Sequence, residues 1–324
     1  MPFVSLMCPQ CAAPLPRAAC WRTVTCSYCG ATVSRGAEVV RAAAFREAWL
    51  RVHQAVDLPA RVVSVAQGRY GLIAGLGGGE SSQVYLAQRI HPFGERVTLK
   101  LARTDNADAA LQYEAEAIRQ LQSLKAAGSA YFSLRLPQLV ACGTARDGAS
   151  PDRHALVLRH PTGFWGSLAD VMRGHGMGVD PRHIVWMWRR VLEVLAYLHD
   201  NGWQHGDLCP EHLLVHPRNH GVQMIGWTRA RHGGPGAVQD LMQLAWSMRM
   251  LLAGQAASGD HPPPLPASTP APLAALLLAG SEDERWCAQH GARGILAQLG
   301  EAAGQSFGAS RFVVFHPAAT PALL

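Results

Sequence analysis

The sequence predicts an α+β fold in which a small cysteine-rich module precedes a larger domain of two lobes. Strand patterns dominate residues 67–160, helical patterns dominate residues 161–324, and two close pairs of cysteines lie within residues 1–35. Apolar residues at helical spacing predict a connecting helix within residues 36–66. We therefore expect a cysteine-rich module, a linker helix, a small β-rich N-lobe and a helical C-lobe, in that order.

The cysteine pairs Cys8/Cys11 and Cys26/Cys29 are both Cys-x-x-Cys, and fourteen residues separate them. Each pair can form a knuckle whose thiolates point at one ion, and four thiolates complete the closed tetrahedral shell of structural zinc. The segment resembles a zinc ribbon, a family used for contact with nucleic acid or protein. Because a closed shell has no position for substrate, we expect zinc to fold this module and not to catalyse a reaction.

Charge and composition indicate which partners to expect. The net charge is +6, and residues 1–66 contribute most of it, with seven arginines and three acids. Four thiolates around zinc carry about −2 in total, which offsets much of this excess, so nucleic acid is disfavoured and another protein is the expected partner. No apolar run approaches the ~20 residues that cross a bilayer, and thiols that bind metal suit a reducing compartment. We therefore expect a cytoplasmic protein without a membrane segment.

A glycine cluster that includes Gly77 and Gly79 lies between two strand patterns, with Ser82 and Val84 following. Glycines at a β-turn let backbone N–H groups approach phosphate oxygens, although a plain hairpin has the same pattern. Lys100 on the next strand favours a phosphate site. The chain has only two lysines among its many arginines, and a compact ammonium suits a point contact with phosphate.

The helix predicted after Lys100 carries Glu114 on the same face as Leu111 and Ile118, whereas Glu116 falls on the polar face. A carboxylate on an apolar face needs a partner, and Lys100 is the expected one. The alternative is that the two residues form separate ion pairs at the surface.

From about residue 67 to 298 the order of the motifs resembles the protein-kinase fold. The resemblance implies that Lys100 and Glu114 belong to the small lobe. It also implies that residues 158–161 are the hinge, which would bring Arg159 and His160 to a nucleotide.

The segment His205-Gly-Asp207 resembles the catalytic loop of the same fold. The resemblance implies that Asp207 accepts the proton of the substrate hydroxyl. Asp240 resembles the buried aspartate that braces this loop, and it is also a candidate N-cap of the following helix. The two roles are compatible.

Three departures from the protein-kinase pattern weaken the prediction of catalysis. His212 stands where an asparagine ligand is expected, Gly226 stands where a magnesium-binding aspartate is expected, and only fourteen positions separate Gly226 from Asp240. Imidazole is a poor ligand for magnesium, which prefers oxygen, so magnesium is disfavoured. The short segment leaves no platform for a peptide substrate.

These observations favour a zinc-ribbon pseudokinase that acts as a regulatory, scaffold or nucleotide-sensing module and still admits ATP. The alternative is an active atypical protein kinase or small-molecule phosphotransferase, in which Asp207 works with a relocated metal ligand such as Glu211 or His212. The sequence around Asp207, together with Trp227 and the short segment, also resembles the aminoglycoside and small-molecule phosphotransferases. A third hypothesis makes the ribbon the binding module and the two-lobed domain its sensor.

Overall fold

The structure is a computed structural model that describes residues 13, 15, 23–30, 32–34, 61–79, 81–90, 94–148, 151–258 and 261–317. Cys8, Cys11 and residues 36–60 of the predicted linker helix lie outside the described residues. Residues 62–65, near the end of that predicted helix, form a strand of the N-lobe barrel instead. The remaining predicted strands, helices and site residues fall within them.

The second cysteine pair lies in the turn between two short antiparallel strands, β1 (Thr23–Thr25) and β2 (Thr32–Ser34). The backbone N–H of Gly30 donates to the carbonyl oxygen of Cys26 at 2.9 Å. Gly30 has a φ of +73°, which glycine adopts without strain. The Gly30 N–H therefore closes the turn that carries Cys26 and Cys29.

The N-lobe is a closed antiparallel barrel of six strands in the order β3-β4-β5-β6-β8-β7. Along β6, the side chains of Val97, Leu99 and Leu101 fill the barrel, and the intervening Lys100 faces the opposite way. The strands are β3 (Val62–Val65), β4 (Gly68–Gly78), β5 (Ser82–Arg89), β6 (Arg96–Ala102), β7 (Leu139–Arg146) and β8 (Arg153–Arg159). Side chains along β6 thus alternate in direction, so that the apolar ones fill the barrel and Lys100 points away from it.

Two helices lie between β6 and β7, the long α1 (Asp105–Ser123) and the single turn α2 (Ser129–Phe132). The buried face of α1 carries Leu111, Ile118 and Leu121, which belong to the core of the C-lobe. Glu116 lies on the exposed face and pairs with Arg119 and Gln120. The amphipathic pattern of this helix is confirmed, and α1 connects the two lobes.

The C-lobe is mainly helical, and its core is built around one long helix that begins at Pro181, with Asp180 as its N-cap. Ile184, Met187 and Leu195 of this helix are fully buried. The helices are α3 (Leu168–Gly174), α4 (Pro181–Asp200), α5 (Ala237–Ala253), α6 (Ala271–Glu282) and α7 (Glu284–Phe307). The short strands are β9 (Gly166–Ser167), β10 (Trp203–Gln204), β11 (Leu213–His216), β12 (Gly221–Met224) and β13 (Arg231–His232).

Asp240 is not the N-cap that the sequence suggested, because α5 begins three residues earlier at Ala237 and Asp240 lies inside the helix, fully buried. Residues 311–317, after the last helix, run without strand pairing along the C-lobe, where Phe315 is buried.

The mixed helix and strand content agrees with the predicted α+β class. Among the described helices, none is both long and apolar enough to span a bilayer.

The turn before α4 provides a test of backbone strain in the C-lobe. Gly178 has a φ of +87°, and a Cβ there would lie 1.9 Å from the carbonyl oxygen of Leu252. We expect Gly178→Ala to lower the free energy of unfolding by about 3 kcal/mol in urea titrations. Gly176→Ala is the matched control, since a Cβ at Gly176 meets no atom within 4 Å, and it should change the free energy by less than about 0.5 kcal/mol. Equal effects of the two variants would contradict this account.

Candidate functional site

Lys100 and Glu114 form a buried ion pair between the barrel and α1. The Nζ atom of Lys100 lies 2.6 Å from Oε1 and 2.8 Å from Oε2 of Glu114. The side chain of Glu114 is completely buried, and Lys100 is 8 % exposed. The alternating direction of side chains on β6 and the apolar face of α1 bring the two residues together. They do not form the separate surface ion pairs that were the alternative.

Glu114 has a second partner from the C-lobe. The backbone N–H of Trp227 donates to its Oε1 at 3.1 Å. The Trp227 indole is fully buried and donates its own N–H to the carbonyl oxygen of Met224 at 3.2 Å. One carboxylate therefore holds the lysine of the N-lobe and the segment that follows Gly226.

The loop that carries Asp207 is braced by Asp240 from α5. The Asp240 carboxylate accepts the backbone N–H of His205 at 2.8 Å and that of Gly206 at 2.7 Å, and it lies 3.0 Å from Nε2 of His199. Gly206 has a φ of +78°, and a Cβ there would lie 2.5 Å from the carbonyl oxygen of Arg229. Asp240 therefore braces the loop, as the resemblance to kinases implied.

His205 is fully buried next to Asp207, and burial lowers its pKa to about 4. Its Nε2 lies 3.0 Å from the carbonyl oxygen of Ile225, and its Nδ1 accepts the Asp207 N–H at 3.3 Å. This pattern requires the neutral tautomer with the proton on Nε2. The ring also packs edge-on against Trp227, with centroids 4.6 Å apart.

Asp207 itself is partly exposed, with 26 % of its side chain accessible. Its Oδ2 lies 3.6 Å from Nδ1 of His212 and 3.8 Å from Nε of Arg229. Nδ1 of His212 also lies 2.9 Å from the backbone carbonyl oxygen of Asp207, which makes it the donor of that hydrogen bond. The carboxylate is accessible to a substrate and has cationic or polar neighbours on one side.

His212 and Gly226 are in direct contact. A Cβ at Gly226 would lie 2.7 Å from both Nε2 and Cδ2 of His212, so the imidazole fills the space that a side chain at position 226 would need. Gly226 has a φ of +79°, which also favours glycine. The two departures from the kinase pattern are therefore one coupled change.

Cys209 lies in the same loop, and burial together with the nearby Glu211 and Asp207 raises the pKa of its thiol to about 12. One oxygen of Asp207, the sulfur of Cys209 and one ring nitrogen of His212 all lie within 4.8 Å of one another. The loop thus gathers three different types of metal-ligating atom.

The predicted glycine loop forms the end of the β4–β5 hairpin. Gly77 pairs with Val84, which pairs with Lys100 on its other side, and Gly79 donates its N–H to the carbonyl oxygen of Ser82 at 3.1 Å. These register positions bring the loop directly beside Lys100.

The hinge residues are less available to a nucleotide than the resemblance implied. The Arg159 side chain bonds Glu95 and Gln138, and its N–H donates to the carbonyl oxygen of Gln138. The N–H of His160 donates to the carbonyl oxygen of Arg96, and its ring bonds Thr98. The backbone N–H groups and the side chains of Arg159 and His160 are therefore both engaged within the protein.

Of the predicted zinc ligands, Cys26 is buried and Cys29 is partly buried in the β1–β2 turn. Cys8 and Cys11 lie outside the described residues. The complete set of four sulfurs therefore remains a prediction.

The described site can be compared with known families. The model of the lipopolysaccharide kinase (Kdo/WaaP) family matches residues 53–256, which include Lys100, Glu114, Asp207 and Asp240. The chain belongs to this family. The Kdo/WaaP family is part of the protein kinase-like superfamily, which confirms the kinase-like prediction. A search of curated proteins found no match to the chain.

Membership of the Kdo/WaaP family corrects the functional prediction. The pseudokinase interpretation, with its regulatory, scaffold or nucleotide-sensing role, is wrong, because the family is one of kinases. The finding favours the alternative of an active atypical kinase. The pseudokinase interpretation rested on His212 and Gly226, and the structure places these two residues in direct contact.

Three groups of the site were not predicted from the sequence. Arg229 approaches Asp207, the Trp227 N–H binds Glu114, and His199 binds Asp240. Of these, only His199 has a signal in the sequence, since it lies in the last turn of the amphipathic α4, six residues before His205. Backbone groups such as the Trp227 N–H have no such signal.

The pH dependence of stability tests the neutral state of His205. Its folded pKa of about 4 lies below the ordinary value near 6.5, so the unfolded chain binds the proton more tightly. The stabilisation is therefore complete above about pH 6.5, and up to about 3 kcal/mol is lost as the pH falls to about 4. Urea titrations should show a steeper loss over this range for the wild type than for His205→Asn. Among the described residues, burial also lowers the pKa values of His160, His183 and His220, and because these three titrate in both proteins their contributions cancel in the comparison. Parallel curves would contradict a neutral His205.

Proposed function

We propose that the protein is an ATP-dependent phosphotransferase that moves the γ-phosphate of ATP to a hydroxyl group of a non-peptide acceptor. The observation that carries this proposal is the closed ion pair of Lys100 and Glu114, which the Trp227 N–H ties to the C-lobe. A kinase needs this lysine positioned before it can bind phosphates productively. Because Glu114 is anchored from both lobes, it holds Lys100 in position beside the glycine loop.

The nucleotide side of the proposed site consists of the glycine loop and Lys100. Gly77 and Gly79 lack side chains, so a phosphate can approach the backbone at the end of the hairpin closely. The Arg103 guanidinium adds positive charge at this loop, since its Nη2 lies 2.7 Å from the position of a Cβ on Gly78. These groups are suited to bind the phosphates and to stabilise the negative charge on them.

The acceptor side centres on Asp207. In the proposed reaction the acceptor hydroxyl oxygen attacks the γ-phosphorus, and its proton passes to the Asp207 carboxylate. The bond between the γ-phosphorus and the bridging oxygen breaks, and ADP leaves. Asp240 holds the loop through two backbone N–H groups, which preserves the position of Asp207 for this transfer.

The acceptor is proposed to be a saccharide rather than a peptide. Between Gly226 and Asp240 the chain forms only a 3₁₀ turn at Trp227–Arg229 and the two residues of β13 before α5 begins. Little chain is left to build a peptide platform. The family is described as lipopolysaccharide kinases, which makes saccharide hydroxyls the first acceptors to test.

Magnesium is the cation that the kinase fold implies, and it neutralises phosphate charge in this chemistry. The residues present do not fit it. His212 offers nitrogen instead of oxygen, and its ring leaves no space for a carboxylate at position 226. Three cationic side chains border the proposed site, those of Lys100, Arg103 and Arg229. We propose that they stabilise the negative charge of the phosphates.

We also propose that Cys8, Cys11, Cys26 and Cys29 hold one structural zinc ion, with another protein as the expected partner of the full chain. Tyr28, between the last two cysteines, packs edge-on against His220 and Phe312 and lies under the guanidinium of Arg190. Its hydroxyl donates to the carbonyl oxygen of Asn219. These contacts support a ribbon that is docked on the C-lobe.

Phosphate transfer from radiolabelled ATP to saccharide acceptors tests the proposed function. We expect Asp207→Asn to reduce kcat by about 100-fold or more, because the hydroxyl proton loses its acceptor. Lys100→Arg keeps a cation for Glu114 and should still reduce kcat/KM by at least about tenfold, since the forked guanidinium fits the phosphates poorly.

Lys125→Arg is the matched control for the lysine variant, because Lys125 is the other lysine of the chain and is exposed. It should retain full transfer. Phosphate transfer at the wild-type rate in Asp207→Asn would contradict the proposed mechanism. Faster transfer to peptides than to saccharides would overturn the proposed acceptor class.

Metal analysis and thermal melting test the ribbon. We expect about one zinc per chain, lost in Cys26→Ser, together with a fall in Tm of about 5 °C as the Tyr28 contacts are released. Cys20→Ser is the control, since Cys20 lies outside both Cys-x-x-Cys pairs, and it should retain zinc and Tm. Full zinc content in Cys26→Ser would refute the four-cysteine site.

A further inference from the structure

Two adjacent residues of α1 contact the same turn of the C-lobe. Oε1 of Glu114 accepts the backbone N–H of Trp227, and the hydroxyl of Tyr113 donates to the carbonyl oxygen of Ala230. The N–H of Ala230 donates to the carbonyl oxygen of Trp227 at 3.2 Å, which closes the turn. The two contacts from α1 therefore fall on the first and last residues of one closed turn.

The directions of the two side chains differ, and this gives the second contact its effect. Successive residues of an α-helix point about 100° apart around its axis, because the helix has 3.6 residues per turn. One hydrogen bond fixes the distance between α1 and the turn, whereas two from different directions also resist rotation of the helix. The rotation of α1 sets the direction of the Glu114 carboxylate, which meets Nζ of Lys100 at 2.6 Å.

The turn that Tyr113 contacts is also held against the loop of Asp207. Strand β13, which follows the turn, pairs with β10, and β10 ends immediately before His205. The carbonyl oxygen of Arg229 lies against the backbone of Gly206, and Nε of Arg229 lies 3.8 Å from Oδ2 of Asp207. The Tyr113 hydroxyl therefore connects the helix that carries Glu114 to a segment that contacts the proposed catalytic loop.

Tyr113 and Glu114 differ in exposure. The Tyr113 residue is 47 % exposed, whereas Glu114 is completely buried. We propose that Tyr113 is a positioning residue that holds α1 in the rotation at which Glu114 meets Lys100. This inference rests on the proposed function, because it concerns the alignment of the lysine that would bind the phosphates of ATP.

Labelling with an amine-reactive acetylating reagent tests the inference without turnover. The chain has only two lysines, so mass spectrometry can follow Lys100 with the exposed Lys125 as the internal reference. We expect Lys100, relative to Lys125, to be labelled about fivefold faster in Tyr113→Phe than in the wild type. The reason is that loss of one hydrogen bond favours opening of the ion pair by about that factor.

Tyr131→Phe is the matched control for the loss of a tyrosine hydroxyl. Tyr131 is exposed to a similar extent, at 51 %, and its ring packs against Phe132 and lies under the guanidinium of Arg135. Phenylalanine keeps both ring contacts, so Lys100 in this variant should be labelled at the wild-type rate.

Kinetics and urea titrations separate positioning from a purely structural role. We expect kcat of Tyr113→Phe at saturating ATP to fall by at least about threefold, because small misplacements of a catalytic group are costly. KM for the saccharide acceptor should stay unchanged, since the acceptor is proposed to bind beside Asp207. The midpoint of urea unfolding should stay close to that of Tyr131→Phe.

The outcomes distinguish this inference from the proposed function. Equal labelling of Lys100 in the wild type and Tyr113→Phe would overturn the inference, and so would an unchanged kcat in an active enzyme. Faster labelling that is matched by a lower urea midpoint would show a purely structural role and would also overturn it. If the wild type transfers no phosphate, the proposed function fails, and the labelling of Lys100 together with the urea midpoint decides the inference.

Discussion

The arrangement of both lobes depends on the buried carboxylate of Glu114. A fully buried charge is strongly unfavourable unless it is paired and hydrogen-bonded, and Glu114 meets this requirement with one partner from each lobe. Lys100 comes from the barrel, and the Trp227 N–H comes from the segment after the C-lobe hairpin. If either lobe moved, the carboxylate would lose a partner in a site without water access. The same group that would position Lys100 for phosphate therefore also sets the relative position of the two lobes.

A second carboxylate, Asp240, plays the corresponding role within the C-lobe. It accepts two backbone N–H groups of the loop before Asp207 and contacts His199, so the loop is held by α5 and α4 together. Hydrogen bonds between charged and backbone groups are stronger than neutral ones, which suits a loop that must hold its shape beside an exposed carboxylate. Leu208 adds a further link, since its N–H donates to the side chain of Gln243 on α5.

The β11–β12 hairpin lies between this loop and the β1–β2 turn that carries Cys26 and Cys29. His212 immediately precedes β11, and Gly226 follows β12 by two residues, so both coupled positions lie at the open end of the hairpin. At its closed end His220 has a φ of +52° and stacks between Trp186 and Phe312, with Tyr28 of the β1–β2 turn edge-on. The β1–β2 turn, the C-terminal segment and the loop of Asp207 therefore all contact or adjoin this one hairpin.

The sequence alone determined the order of elements, the alternation on β6 and the apolar face of α1. From these patterns the pairing of Lys100 with Glu114 could be predicted, because each depends on a local period of 2 or 3.6 residues. Only the tertiary structure decided that Asp240 is not an N-cap, that Arg229 lies beside Asp207, and that His212 fills the space at Gly226. These are contacts between segments distant along the chain or turned by a loop, and no local period encodes them. His212 and Gly226 are two separate departures from the kinase pattern in the sequence, whereas their contact in the structure makes them one coupled change.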